Sequence, residues 1–170
     1  LPVTAEATPH HLLFACEELT ADDANYKMAP PLGTREDRAE LRKAVKDGVL
    51  MFATDHAPHP AETKNRGFAK SANGIIGLET AVAITYKVMV EEERMPRDDW
   101  AAAWTEMPRR LFPASAAPAL VELPATRIEV GVPRVWHLAQ AKSLSRNCPY
   151  DGFAGDCWPL LPGTPEGGNA

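Results

Sequence analysis

Apolar and polar positions alternate at the start of the chain: Val3, Ala5 and Ala7 are separated by Thr4 and Glu6, the period of a strand with one buried face. Leu12 to Leu19 reads as a short helical or irregular stretch, and the residues after it as a turn. Tyr26-Lys27-Met28-Ala29-Pro30-Pro31-Leu32 is stiffened by its prolines and cannot be helix interior. The period then becomes helical. Thr34 offers an N-cap side chain, Glu36 and Asp37 occupy the first turn where the helix dipole favours acids, and Leu41 and Val45 share a face. Gly48 stands where a left-handed C-terminal cap is expected. The pattern predicts a helix over 35–47 and a buried strand over 49–54, built on the apolar run Val49-Leu50-Met51-Phe52. This is one helix-then-strand step of an alternating α/β fold.

Residues 55–77 form a polar loop carrying Lys64, Arg66, Lys70, Gly67, Gly74 and Gly77. A loop longer than about 15 residues with no structure of its own is usually functional or disordered. Helical spacing resumes at Leu78 through Ala81, Ile84, Val88 and Met89, and Pro96 with Asp98 restarts a helix through Trp100, Ala103 and Trp104. Pro108 suits the first turn of a last short helix ending near Phe112. Pro113 to Pro124 is rich in alanine and proline, Arg127-Ile128-Glu129-Val130-Gly131 reads as strand and turn, and the tail over 155–170 is expected to lack order.

A chain of 170 residues with 45% apolar content can form one domain with a real core. The net charge of −5, with basic residues dispersed, favours neither nucleic acid nor an anionic membrane surface. No apolar run approaches the ~18 residues of a membrane span. Cys16, Cys148 and Cys157 are odd in number and widely spaced, which suits a reducing cytoplasm better than a disulfide scaffold. The chain opens inside an element at Leu1, and reads as the back portion of a longer ancestral protein, or as an engineered or truncated gene product.

The chemistry concentrates in Ala53-Thr54-Asp55-His56-Ala57-Pro58-His59-Pro60. A carboxylate at the mouth of a buried strand, with a histidine four residues on, is how parallel α/β enzymes present catalytic groups. Asp55 can take a proton from a metal-activated water, or simply cap the following turn. His59 is placed for an anionic group, and His56 for a second ligand position or for packing the loop. A local metal site of Asp55, His56 and His59 is disfavoured, because Pro58 opposes the helical turn that would bring positions 55 and 59 to one face. His10 and His11 sit at the exit of the first strand. Adjacent histidines point in different directions, so one packs and the other lines a pocket. His137 has no neighbouring ligand type, and no phosphate-cradling Gly-Lys-Ser/Thr follows any glycine.

Four ordered blocks resemble bacterial dihydroorotases: Val3-Thr4-Ala5-Glu6-Ala7-Thr8-Pro9-His10-His11-Leu12-Leu13, Tyr26 to Leu32, Ala53 to His59 with Lys64 following, and Gly74-Ile75-Ile76-Gly77-Leu78-Glu79-Thr80. A fainter echo covers Ser145 to Phe153. The resemblance spans roughly the first two-thirds of the chain. It implies the C-terminal part of a (β/α)8 amidohydrolase barrel over 1–112, a degenerate remnant of the small β domain over 113–154, and a tail over 155–170. It implies reversible, zinc-dependent hydrolysis of dihydroorotate to N-carbamoyl-L-aspartate, a step of pyrimidine biosynthesis, with a small-molecule substrate and a cytoplasmic setting. Asp55 would be both zinc ligand and general acid/base, His59 would bind the substrate carboxylate, and Asn73-Gly74 would hold the ring through backbone groups. Related hydantoin-opening amidases usually lack a histidine at the place of His59.

The departures carry as much weight. The family's His-x-His pair, its metal-bridging residue and its middle-strand histidines have no counterpart here, so zinc is not expected on this chain alone. Ala29 replaces a substrate-contacting asparagine, and Asn73 stands where an aromatic residue is common. A complete barrel takes ~250 residues. The alternative reading is a non-catalytic relative that binds aspartate transcarbamoylase or self-associates, or a decayed fragment.

Overall fold

A computed structural model of the chain describes residues 3–19, 22–112 and 127–160. Strand β1 (Ala5–Ala7) pairs in parallel with β2 (Leu50–Phe52), in the register Ala5 with Leu50 and Ala7 with Phe52. Parallel neighbours need a long crossover, and here it consists of α1 (Pro9–Leu13), two 3₁₀ turns and α2 (Arg35–Lys46). The predicted strand is shorter than 49–54 because Val49 is exposed and hydrogen-bonds back to Ala44 at the end of α2.

Helix α2 begins as its sequence dictates. The Thr34 hydroxyl accepts the Asp37 amide while the Asp37 carboxylate accepts the Thr34 amide, a reciprocal box that satisfies two orphan donors. Only Val45 of this helix is fully buried. Its polar face is used instead: Arg38 donates to the Leu13 carbonyl and pairs with Glu18, and Arg42 donates to the Leu12 carbonyl and pairs with Glu92 and Glu93. These arginines tie the crossover to the end of the next helical layer.

The 55–77 loop is not structureless. It contains two one-turn helices, α3 (Ala61–Lys64) and α4 (Gly67–Lys70), and a single parallel bridge between His56 and Ile75. Helix α5 (Ala81–Thr85) runs on as a π-helical segment, Tyr86–Glu92, followed by α6 (Arg97–Trp104) and α7 (Glu106–Leu111). The Thr85 hydroxyl, fully buried, accepts the indole N–H groups of both Trp100 and Trp104. That pairing satisfies two polar edges inside a core built on Phe52, Ile84, Val88, Met89 and Trp100.

Strands β3 (Arg127–Trp136) and β4 (Phe153–Leu160) form an antiparallel hairpin with a register shift between Val130 and Arg134. The strand expected over 127–131 is therefore twice as long. The tail expected to begin at Gly155 is strand as far as Leu160, because Cys157 and Trp158 are buried in the core. The alanine- and proline-rich tract and residues 161–170 lie outside the described residues.

Candidate active site

Asp55 leaves β2 with φ of +46°, a left-handed conformation that Asp tolerates better than most residues. The loop is held in that turn from the far side. His56 Nδ1 accepts the amides of Gly77 and Leu78, and the Ala57 amide donates to the Ile75 carbonyl. His56 thus packs the loop instead of facing a ligand. The Asp55 side chain, 46% exposed, opens onto a cleft of about 980 Å³ between β1, α2 and the proline loop. Glu6, Asp37 and Glu40 also line that cleft, while no lysine or arginine does. As it stands, its field favours a cation and opposes a dicarboxylate.

His10 and His11 divide as adjacent histidines should. His11 faces the cleft with both ring nitrogens engaged, Nδ1 with the Thr8 hydroxyl at 2.7 Å and Nε2 with the Pro30 carbonyl at 3.0 Å. His10 is buried, 1% exposed, and its Nε2 lies 3.7 Å from Asp55 Oδ2. Burial, reinforced by the neighbouring His11, pulls the His10 pKa down to about 3, so the ring is neutral near pH 7. The contact is therefore not an ion pair, and Nε2 has no hydrogen-bond partner.

His59 and Asn73 are brought together: His59 Nε2 bonds the Asn73 carbonyl at 2.7 Å, which makes Nε2 the protonated nitrogen. Gly74, with φ of +110°, is seated so closely that a Cβ would fall 2.6 Å from the Ala57 Cβ and 3.3 Å from His59 Nε2. Its backbone groups are already used. The Gly74 amide donates to the Lys27 carbonyl, and its carbonyl accepts from Lys64 Nζ and Asn147 Nδ2. The amide and carbonyl of Gly74, half of the Asn73-Gly74 pair expected to hold a ring, are thus engaged within the chain.

Sequence reasoning missed the side chains that fasten this corner. Lys64, 3% exposed, donates to the carbonyls of Ala72 and Gly74, and Lys27 donates to those of Ala69 and Ser71. Burial, then repulsion from Lys27, lowers the Lys64 pKa. Asn147 donates to Ala57 and Gly74 and accepts the His59 amide. The signal available was that Lys27, Lys64 and Asn147 all fall inside segments that resemble dihydroorotases. Nothing local says that residues 88 positions apart will meet.

The donors present do not complete a zinc site. Among the described residues no three His, Cys, Asp or Glu side chains gather closely enough to hold an ion. Both nitrogens of His11 are engaged, and Asp55 with His10 leaves one ligand short of the three a catalytic zinc normally takes. His137 pairs instead with Asp151 at the surface.

No protein-family model matches the chain. The dihydroorotase of Brevibacillus brevis is 37% identical over 172 residues, which cover 94% of this chain and 38% of that protein. Among solved structures, a D-hydantoinase from Thermus sp. superposes with a TM-score of 0.77 at 22% identity, over 93% of this chain and 37% of its own. A dihydroorotase of Saccharomyces cerevisiae in complex with 5-fluoroorotic acid superposes at 0.74 with 18% identity, over 94% and 43%. The fold is thus mixed helix and strand, that of a segment of these hydantoinase and dihydroorotase structures. By sequence the chain belongs to the dihydroorotase family and corresponds to a C-terminal portion of its members, spanning about 38% of the curated relatives it matches.

Proposed function

We propose that this chain supplies the proton-handling and substrate-orienting face of a dihydroorotase, which opens dihydroorotate to N-carbamoyl-L-aspartate reversibly. The observation that supports it is Asp55, delivered by β2 to the floor of a large cleft with its carboxylate half exposed. Opening the ring adds water across the amide C–N bond. A base takes the proton of the attacking water and returns it to the departing nitrogen, and Asp55 is placed to do both. His59 orients the substrate carboxylate by donating from Nδ1 when that nitrogen also carries a proton, and the Asn73 carbonyl fixes the imidazole through Nε2–H. Gly74 acts through the space it leaves beside Ala57 and His59.

Zinc, which in this family activates the water and polarises the carbonyl, would take Asp55 from this chain and its other ligands from elsewhere. The acidic lining of the cleft attracts cations. Parallel β1 and β2 would be adjacent strands of a (β/α)8 barrel over 1–112, and the β3–β4 hairpin, running to Leu160, a remnant of its small β domain. Among the described residues no helix is long and apolar enough to cross a membrane.

The test is a chimera in which this chain replaces the matching portion of the Brevibacillus brevis dihydroorotase. Ring closure of N-carbamoyl-aspartate should be detectable, and Asp55→Asn should lower it by roughly 10²–10⁴-fold. An Asp55→Asn chimera as active as its parent would overturn the reading.

A further inference from the structure

The least explained atom near the proposed site is His10 Nε2. It is fully enclosed, has no hydrogen-bond partner, and has the Asp55 carboxylate 3.7 Å away. A buried polar atom left unpaired is costly, and stable folds rarely retain one without a use. Nε2 carries either a hydrogen or a lone pair. A lone pair aimed at a carboxylate is repulsive, whereas an N–H is attractive. The separation exceeds the ~3.2 Å limit of a good N–H···O bond, and a carboxylate swing of roughly half an ångström closes it.

A second enclosed polar group is also unpartnered. The Tyr150 hydroxyl is also without a partner, and Tyr150 stacks on Phe14 at 5.7 Å. Its ring and the Thr54 carbonyl, which is bonded directly to Asp55, both lie 3.7 Å from a Cβ built on Gly77. His10 Nε2 is itself enclosed, and an oriented donor acts most strongly away from bulk water.

Resting on the dihydroorotase reading of Asp55, we propose that His10 is a positioning residue that holds Asp55 by Oδ2 through Nε2–H, leaving Oδ1 to carry the proton. Nothing in the chain's similarity to its relatives assigns this role to His10. The contact fixes which oxygen stays fastened and which faces the cleft.

The test uses the intact 170-residue chain. Nitrogen-15 imidazole spectra near neutral pH should show His10 as the Nε2–H tautomer, with a slowly exchanging proton resonance that moves upfield in Asp55→Ala. The Nδ1–H tautomer, or a resonance indifferent to Asp55→Ala, would overturn the proposal. In a second arm the Asp55 carboxyl carbon-13 shift is read in His10→Gln, which keeps a donor, and in His10→Leu, which does not. Gln should preserve the wild-type shift and Leu should displace it, and equal displacement by both counts against the role. If His10→Leu fails to fold, the wild-type tautomer decides. Should the tautomer be as expected while Asp55→Asn leaves the chimera active, the positioning contact stands and the dihydroorotase reading falls. The opposite pattern overturns the positioning alone.

Discussion

The carboxamide oxygen of Asn147 accepts the backbone amide of His59 at 3.2 Å, while its nitrogen donates to the carbonyls of Ala57 and Gly74. One buried side chain therefore fixes three points of the loop that carries Asp55 and His59. Asn147→Leu removes all three bonds and leaves the Ala57 carbonyl without this partner. It should destabilise the chain by about 1–3 kcal/mol in urea unfolding. Amide exchange at residues 57–59 should accelerate more than in α6, which does not touch Asn147. Uniform acceleration would show that Asn147 supports the whole fold and not this loop.

Gly74 and Gly67 offer a matched pair, since both have positive φ, +110° and +71°. A Cβ at Gly67 meets nothing within 4 Å, whereas at Gly74 it meets Ala57 at 2.6 Å. Gly67→Ala should cost about 1–2 kcal/mol, the backbone penalty alone. Gly74→Ala adds overpacking worth about 1–3 kcal/mol, and should also displace His59 from the Asn73 carbonyl. Thermal melts rank the two variants, and the His59 ring resonances report the displacement. Equal melts would show that the 74 corner has room to yield.

What the sequence disclosed followed the range of the interactions involved. The α2 cap was readable because Thr34 and Asp37 are three residues apart, and β2 because four apolar residues stand together. Asp55 was legible from its place at the mouth of that strand. The split between His10 and His11 followed from their adjacency, although which one is buried depends on the tertiary packing of α1. The engagement of Gly74 was invisible, since its partners Lys27, Lys64 and Asn147 come from three separate segments. The extent of β4 was masked by Gly155 and Pro159, which read as a loop until Cys157 and Trp158 find a core to enter.

Zinc offers a test of the ligand shortage. The cleft presents Glu6, Asp37, Glu40 and Asp55, so the ion is attracted, yet no described trio of donors encloses it. Equilibrium dialysis of the isolated chain should give well under one tightly held zinc per chain, and the weak binding should fade as salt screens the carboxylates. Retention of one zinc after exhaustive dialysis in high salt would mean that the chain holds a complete ligand set.

Alkaline stability should be governed in part by two buried thiols. Cys148 and Cys157 are free, 5% and 0% exposed, and burial pushes their pKa values up from 9.0 to about 11 and about 12. Above pH 9 the unfolded chain gives up these protons while the folded chain keeps them, so the unfolded state binds fewer protons and stability falls as pH rises. The stabilising contribution is whole below pH 9 and is lost through the folded values, near 11 for Cys148 and 12 for Cys157. At about 1.36 kcal/mol per unit, Cys148 accounts for at most about 2–3 kcal/mol. Other titrating groups are common to every variant and cancel in the comparison. Cys148→Ala lowers stability by a constant amount near neutral pH, through lost packing, and should then lose less than wild type between pH 9 and about 11. Urea midpoints measured across that range give the slopes. Parallel curves for wild type and Cys148→Ala would show that the thiol ionises as readily in the folded chain as in the unfolded one.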